Sequence, residues 1–125
     1  MNKITYTVEV EDGDSAWYLN DKLHREDGPA VEDSDGYSAW YINDKLHRED
    51  GPAVEDSNGH KSWYLNGELH REDGPAVEWS NENKSWYLNG VKYTESEFKI
   101  KIQTSKDITV AELEKLLGYS IKIIK

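Results

Sequence analysis

The 125 residues carry 25 Asp and Glu against 15 Lys and Arg, a formal net charge of −10, with 36% hydrophobic residues and no cysteine. So lean an apolar fraction, with a mean hydropathy of −0.89, argues against a thick globular core, and a chain without Cys has neither a disulfide framework nor a thiolate zinc site. The opening MNKITYTVEVED holds no apolar run of signal-peptide or membrane-span length, so the expectation is a soluble, unexported protein of the cytoplasm.

Charge is unevenly spread. Residues 1–97 hold 9 Lys or Arg against 22 Asp or Glu, whereas residues 98–125 hold 6 against 3. An acidic stretch with a basic tail repels nucleic acid along most of its length and suits a basic protein surface. The same acid also keeps an exposed sheet soluble and discourages edge association.

Taken in chain order, TYTVEVED places Val8 and Glu9 in register with Val31 and Glu32 and reads as a degenerate first arm that starts an array. Three near-copies of a 23-residue unit follow at 17–39, 40–62 and 63–85, and a partial fourth at 86–97. A unit this short cannot bury its own apolar residues, so each must complete its core on its neighbours. Asp12-Gly13, Asp35-Gly36 and Asn58-Gly59 sit between β-rich segments and predict two-residue hairpin turns. The first arms are PAVEDS from Pro29 and Pro52 and PAVEWS from Pro75, and the second arms are SAWYLN and its equivalents. Four hairpins, or eight short strands, are expected. Alternation puts Trp40 and Ile42 on one face and Tyr41 on the other, giving a Trp column and a Tyr column along the repeats. The linking NDKLHREDG or NGELHREDG reads as turns.

Beyond Trp86 the pattern changes. FKIKI (98–102) alternates as a strand, Asp107 or Thr109 is placed to cap a helix over ITVAELEKLLG with Val110, Leu113 and Leu117 on one face and a stop at Gly118, and IKIIK reads as a last strand. The predicted fold is mainly β: tandem antiparallel β-hairpin repeats of 23-residue period forming a twisted sheet over 1–97, with a small α+β strand–helix–strand cap containing one helix over 98–125. A single sheet leaves one aromatic column wet, so either the cap or a second copy, as a homodimer, is expected to cover it.

The motif W-Y-x-N-G-x-x-H-R-x-D-G-P-A resembles the MORN-like repeat families, and in particular the HRxDGPA repeats of phage and bacterial proteins. The resemblance spans about residues 5–98 and includes the ending NGVKYTESEF. It implies an antiparallel hairpin array, phage-encoded and acting by contact in the host cell, and it supplies no catalytic residues. MORN repeats proper carry more Gly and lack HRED, so membrane-lipid binding is not carried over to a sheet this acidic.

The string HRED occurs at His24–Asp27, His47–Asp50 and His70–Asp73. In a meander with two strands per repeat, equivalent positions lie ~9–10 Å apart, whereas metal ligands converge within ~2–2.5 Å of the ion. No metal or other cofactor is therefore expected. Arg25, Arg48 and Arg71 are expected to pair with Asp or Glu of the next unit, and each Asp to accept from backbone N–H groups at the Asp-Gly-Pro turn. Ser15, Ser38, Ser57 and Ser62 lack a nucleophile elbow, and Gly is dispersed at turns, so no enzyme is expected. The Trp and Tyr columns read as core and half-core. Differences between copies stand out beside the shared positions: Asp33 and Asp56 become Trp79, and Asp14, Tyr37, His60 and Asn83 vary.

The function expected from these readings is a non-catalytic protein-binding module. It would be a small acidic phage-encoded inhibitor of a host protein, such as a defence nuclease, with a basic surface. Its candidate contact residues are Glu26, Asp27, Glu49, Asp50, Glu72 and Asp73, with Trp79, Tyr37 and His60. A structural or self-assembling module and an antitoxin-like partner are the alternatives. Neither a nucleic acid nor a membrane is an expected partner.

Overall fold

The computed structural model describes residues 4–105 together with Ala111, Glu114, Lys115 and Gly118. Turn chemistry sets its course. Of the eight non-glycine residues with positive φ among those described, seven are Asn or Asp, which tolerate that region best. Asn20-Asp21, Asn43-Asp44, Asn66-Gly67 and Asn89-Gly90 take positive φ at both positions, the type I′ geometry that matches strand twist.

These four turns close hairpins between β2 (Asp14–Leu19) and β3 (Lys22–Leu23), β6 (Tyr41–Ile42) and β7 (Lys45–Leu46), β10 (Tyr64–Leu65) and β11 (Glu68–Leu69), and β13 (Lys84–Leu88) and β14 (Val91–Tyr93). A second row of hairpins thus stands where the sequence reading placed only connections, and the described residues form fourteen strands instead of eight. Return arms of two residues, Lys-Leu or Glu-Leu, are too short to show alternation.

The expected row of hairpins is also present. β1 (Thr7–Glu11) pairs with β2, and β4 (Val31–Glu32), β5 (Ser38–Ala39), β8 (Val54–Glu55), β9 (Lys61–Ser62) and β12 (Val77–Glu78) continue an antiparallel meander in chain order to β13. Trp40 joins the two rows. Its N–H donates to Ala53 O at 2.7 Å in the first row, and its carbonyl accepts from His47 N–H at 3.0 Å in the second.

The first-row turns differ from expectation in detail. Asp12-Gly13 is the two-residue turn predicted, with φ of +51° and +89°, but at Asp35-Gly36 and Asn58-Gly59 only the glycine is left-handed. Asp33 Oδ1 accepts the N–H groups of both Asp35 and Tyr37, and Asp56 Oδ1 those of Asn58 and His60, so the acidic side chain closes a longer loop.

Burial is thin. Ala30, Ala39, Ala53 and Ala76 are fully buried, Phe98 is 5% exposed, and the Trp and Tyr columns are only half-buried. The alanine carbonyls of 30, 53 and 76 accept from the Trp N–H of their own repeat, each at 2.7 Å. Each bond ties the start of a unit to the strand that follows its HRED loop, at a methyl wholly shielded from solvent.

The array ends differently from the prediction. FKIKI lies in helix α1 (Glu95–Thr104), and the expected boundary at residue 98 falls inside that helix. Thr94 Oγ accepts from Glu97 N–H at 3.2 Å while Glu97 Oε1 accepts from Thr94 N–H at 2.9 Å, a capping box that starts the helix, and Lys99 pairs with Glu95 at 3.2 Å one turn on. Ala111, Glu114 and Lys115 are helical, and Gly118, at φ +76°, donates its N–H to Glu114 O, as the predicted stop requires. Asp107, Thr109, Val110, Leu113, Leu117 and the IKIIK strand lie outside the described residues. No helix among the described residues is long and apolar enough to cross a membrane.

Candidate functional site

Each HRED loop leaves the second row with its backbone fixed on both sides. His24, His47 and His70 donate N–H to the Trp carbonyl of their own repeat at 3.0 Å, and Arg25, Arg48 and Arg71 donate N–H to the Tyr carbonyl of the next at 3.0, 3.0 and 3.2 Å. The arginine side chains then fold back. Their guanidinium carbons lie 3.9, 4.0 and 3.8 Å from the ring centroids of Trp17, Trp40 and Trp63.

Two polar contacts recur at each guanidinium, and Arg71 adds a third, to Glu78 at 3.3 Å. Nε donates to Asp27, Asp50 or Asp73 at 3.0, 2.9 and 2.8 Å, and a terminal nitrogen donates to the carbonyl of Pro29, Pro52 or Pro75 at 3.2, 3.0 and 3.1 Å. A Cβ added at Gly28, Gly51 or Gly74 would stand 2.8, 2.9 and 3.1 Å from the guanidinium carbon. Arg-x-Asp-Gly-Pro is thus a local clamp in which a cation packs against both an indole face and a glycine. Contrary to the expectation that they would pair with the next unit, the arginines pair within their own unit, with the Asp of their own loop and, for Arg71, also with Glu78 at 3.3 Å, and the Asp carboxylates are taken by guanidinium and not by turn N–H groups. A single residue separates Arg from Asp, so the local pair forms at less entropic cost than one between units.

The histidines couple repeats. Nδ1 of His24, His47 and His70 accepts the N–H of Asn43, Asn66 and Asn89, the first residue of the next type I′ turn, at 3.1, 3.0 and 2.9 Å. The ring proton therefore sits on Nε2, 3.7, 3.9 and 3.7 Å from Glu26, Glu49 and Glu72. His60 does the same in the first row, its Nδ1 accepting from Ser80 N–H at 3.0 Å, and Asp14 accepts from Ser34 N–H at 2.8 Å.

The six carboxylates project outward from this frame. The side chains of Glu26, Glu49 and Glu72 are 72, 84 and 74% exposed, and those of Asp27, Asp50 and Asp73 are 83, 81 and 86% exposed. They rim two equivalent open grooves, one between the first and second loops with Trp40 and Ile42 at its floor, the other between the second and third with Trp63 and Leu65. Four carboxylates and two guanidiniums line each groove, so both are negative.

Tyr37, His60 and Trp79 line neither groove and belong to the first-row turns. Tyr37 is half-buried; burial, then Tyr41, Asp33 and Tyr64, push its hydroxyl above the usual tyrosine range, as burial beside Tyr41 and Tyr87 does for Tyr64. Trp79 is 39% exposed and borders a shallow depression with Asn81, Asn83 and Lys84.

Sequence reasoning missed the Arg–Trp stack, although its signal is constant. Arg follows Trp by eight residues and Gly by eleven in all three full repeats, whereas Trp86 is followed at those distances by Thr94 and Glu97. These are the capping-box residues of α1: where the clamp is lost, the helix begins.

Comparison with protein-family models, with curated proteins and with solved structures finds no match.

Proposed function

We propose that this protein is a non-catalytic binding module, an acidic inhibitor whose HRED loops face a basic surface of another protein. One observation supports the reading above others. Six exposed carboxylates are carried on three loops whose backbones and arginines are already fixed, so little ordering is left for a partner to impose. Rows of carboxylates on a stiff frame favour fast, charge-steered association with a cationic surface. The MORN-like resemblance and a phage origin fit this reading and form part of the proposal.

Glu26, Glu49 and Glu72 are the residues to test, because they lie outside the Arg–Asp clamp. A protein carrying Glu26→Lys, Glu49→Lys and Glu72→Lys together should keep its circular dichroism and thermal midpoint. It should lose the host proteins that the parent retains at about 50 mM salt and releases at about 500 mM. Equal capture by parent and variant, or capture indifferent to salt, would overturn the proposal.

A further inference from the structure

β1 is an edge strand of the meander, as β14 is at the other end of the described sheet. All five residues of β1 are exposed, and among the described residues its only paired neighbour is β2. Three of the exposed large apolar side chains lie on or just before it: Ile4 at 69%, Val8 at 41% and Val10 at 71% exposure.

Register decides which backbone groups are free. Asp12 and Gly13 make a two-residue turn, so the flanking pair Glu11↔Asp14 exchanges hydrogen bonds, as do Glu9↔Ala16 and Thr7↔Tyr18. Val8 and Val10 occupy the alternate pairs, and their N–H and C=O groups point away from β2. The opposite strand agrees, since Trp17, paired with Val8, sends its N–H to Ala30 on its far side.

We infer that β1 pairs antiparallel with β1 of a second copy, about a two-fold axis at Val8. Two-fold pairing at this position sets Val8 opposite Val8 and Tyr6 opposite Val10, all with outward-facing groups, and joins the apolar row that Tyr6 extends onto Trp17 at 5.7 Å. On the other face it sets Thr7 opposite Glu9 and Thr5 opposite Glu11. A shift of the axis to Glu9 would bring two carboxylates face to face, which disfavours that register. The contact uses the same strand on both copies, so pairing through β1 closes at two. A sheet edge is a small interface, and the dimer belongs to the weak class.

Sedimentation velocity from about 1 µM to about 1 mM tests this on the full chain. The expected result is a monomer–dimer equilibrium that strengthens with added salt, because two copies of like charge repel; the proposed hetero-complex weakens with salt, so the two ideas fail separately. Val8→Pro removes an outward N–H and leaves the β1–β2 bonds intact, so it should weaken dimerisation at least about tenfold with the monomer still folded. Hydrogen exchange gives a second readout that needs no variant: the amides of Val8 and Val10 should gain protection with concentration, while those of Thr7, Glu9 and Glu11 stay unchanged. A monomer throughout the range, a dimer indifferent to Val8→Pro, or protection gained away from β1 would overturn the inference.

Discussion

The guanidinium of Arg48 stacks 4.0 Å from the ring centroid of Trp40 while its Nε donates to Asp50 at 2.9 Å, so one side chain joins strand, loop and turn within a single repeat. The same three-way contact recurs at Arg25 and Arg71.

Gly51→Ala should therefore act through Arg48. The new Cβ would sit 2.9 Å from the guanidinium carbon and displace it from the indole. A loss of about 1–2 kcal/mol is expected in urea titrations. In an Arg48→Ala background the same substitution should cost much less, and additive costs would contradict the clamp.

Glu82 holds the left-handed position that Gly36 and Gly59 fill in the other copies, at φ +71°. Glu82→Gly should raise stability by about 1 kcal/mol, read as a higher thermal midpoint. Gly59→Ala, at φ +88°, should lower it.

Coupling between repeats should scale with the burial of the histidine. His24 is 5% exposed and its bond to Asn43 is partly buried, whereas the bond from His47 to Asn66 is exposed. His24→Phe, which keeps a ring but loses the acceptor, should cost about 1–2 kcal/mol, and His47→Phe about half as much, compared by urea midpoints.

Helix α1 should respond to acid through Glu97. The backbone N–H of Thr94 and then its side chain hold this carboxyl below its ordinary value of 4.5. A folded-state value below the unfolded one contributes stability above about pH 4.5 that is lost as pH falls through the lowered value. Amide shifts of Glu97 and Phe98 should report fraying of the first helical turn in that window, and Glu97→Gln should remove the dependence.

Tyr37 and Tyr64 should make the fold sensitive to alkali. Their values stand above the ordinary 10.0, so the neutral form is favoured by folding, and the stability it brings is present below that pH and lost as pH rises through the folded values. Tyrosinate absorbance should rise together with the loss of folded circular dichroism above pH 10.0, and Tyr37→Phe with Tyr64→Phe should uncouple the two.

The repeat register, the first-row hairpins and the facing of Trp40 and Ile42 against Tyr41 were legible because period and turn residues act locally. The second-row hairpins were not, since Lys45-Leu46 is too short an arm to display a pattern and only Asn43-Asp44 announces it. FKIKI misled because its alternation competes with the Thr94–Glu97 box, and local capping won. The six HRED carboxylates stand out in the sequence as they do on the surface, but the ties of His24, His47 and His70 to Asn43, Asn66 and Asn89 join residues 19 apart, and only the folded array brings them together.

Arg25 to Tyr41, Arg48 to Tyr64 and Arg71 to Tyr87 are one backbone bond written three times, each tying a unit to the one that follows it and asking nothing of more distant parts of the chain. Such a design has no fixed length. Duplication or loss of a whole unit in the gene would leave every junction chemically the same, so the span of the array, and with it the number of grooves between its loops, is free to drift.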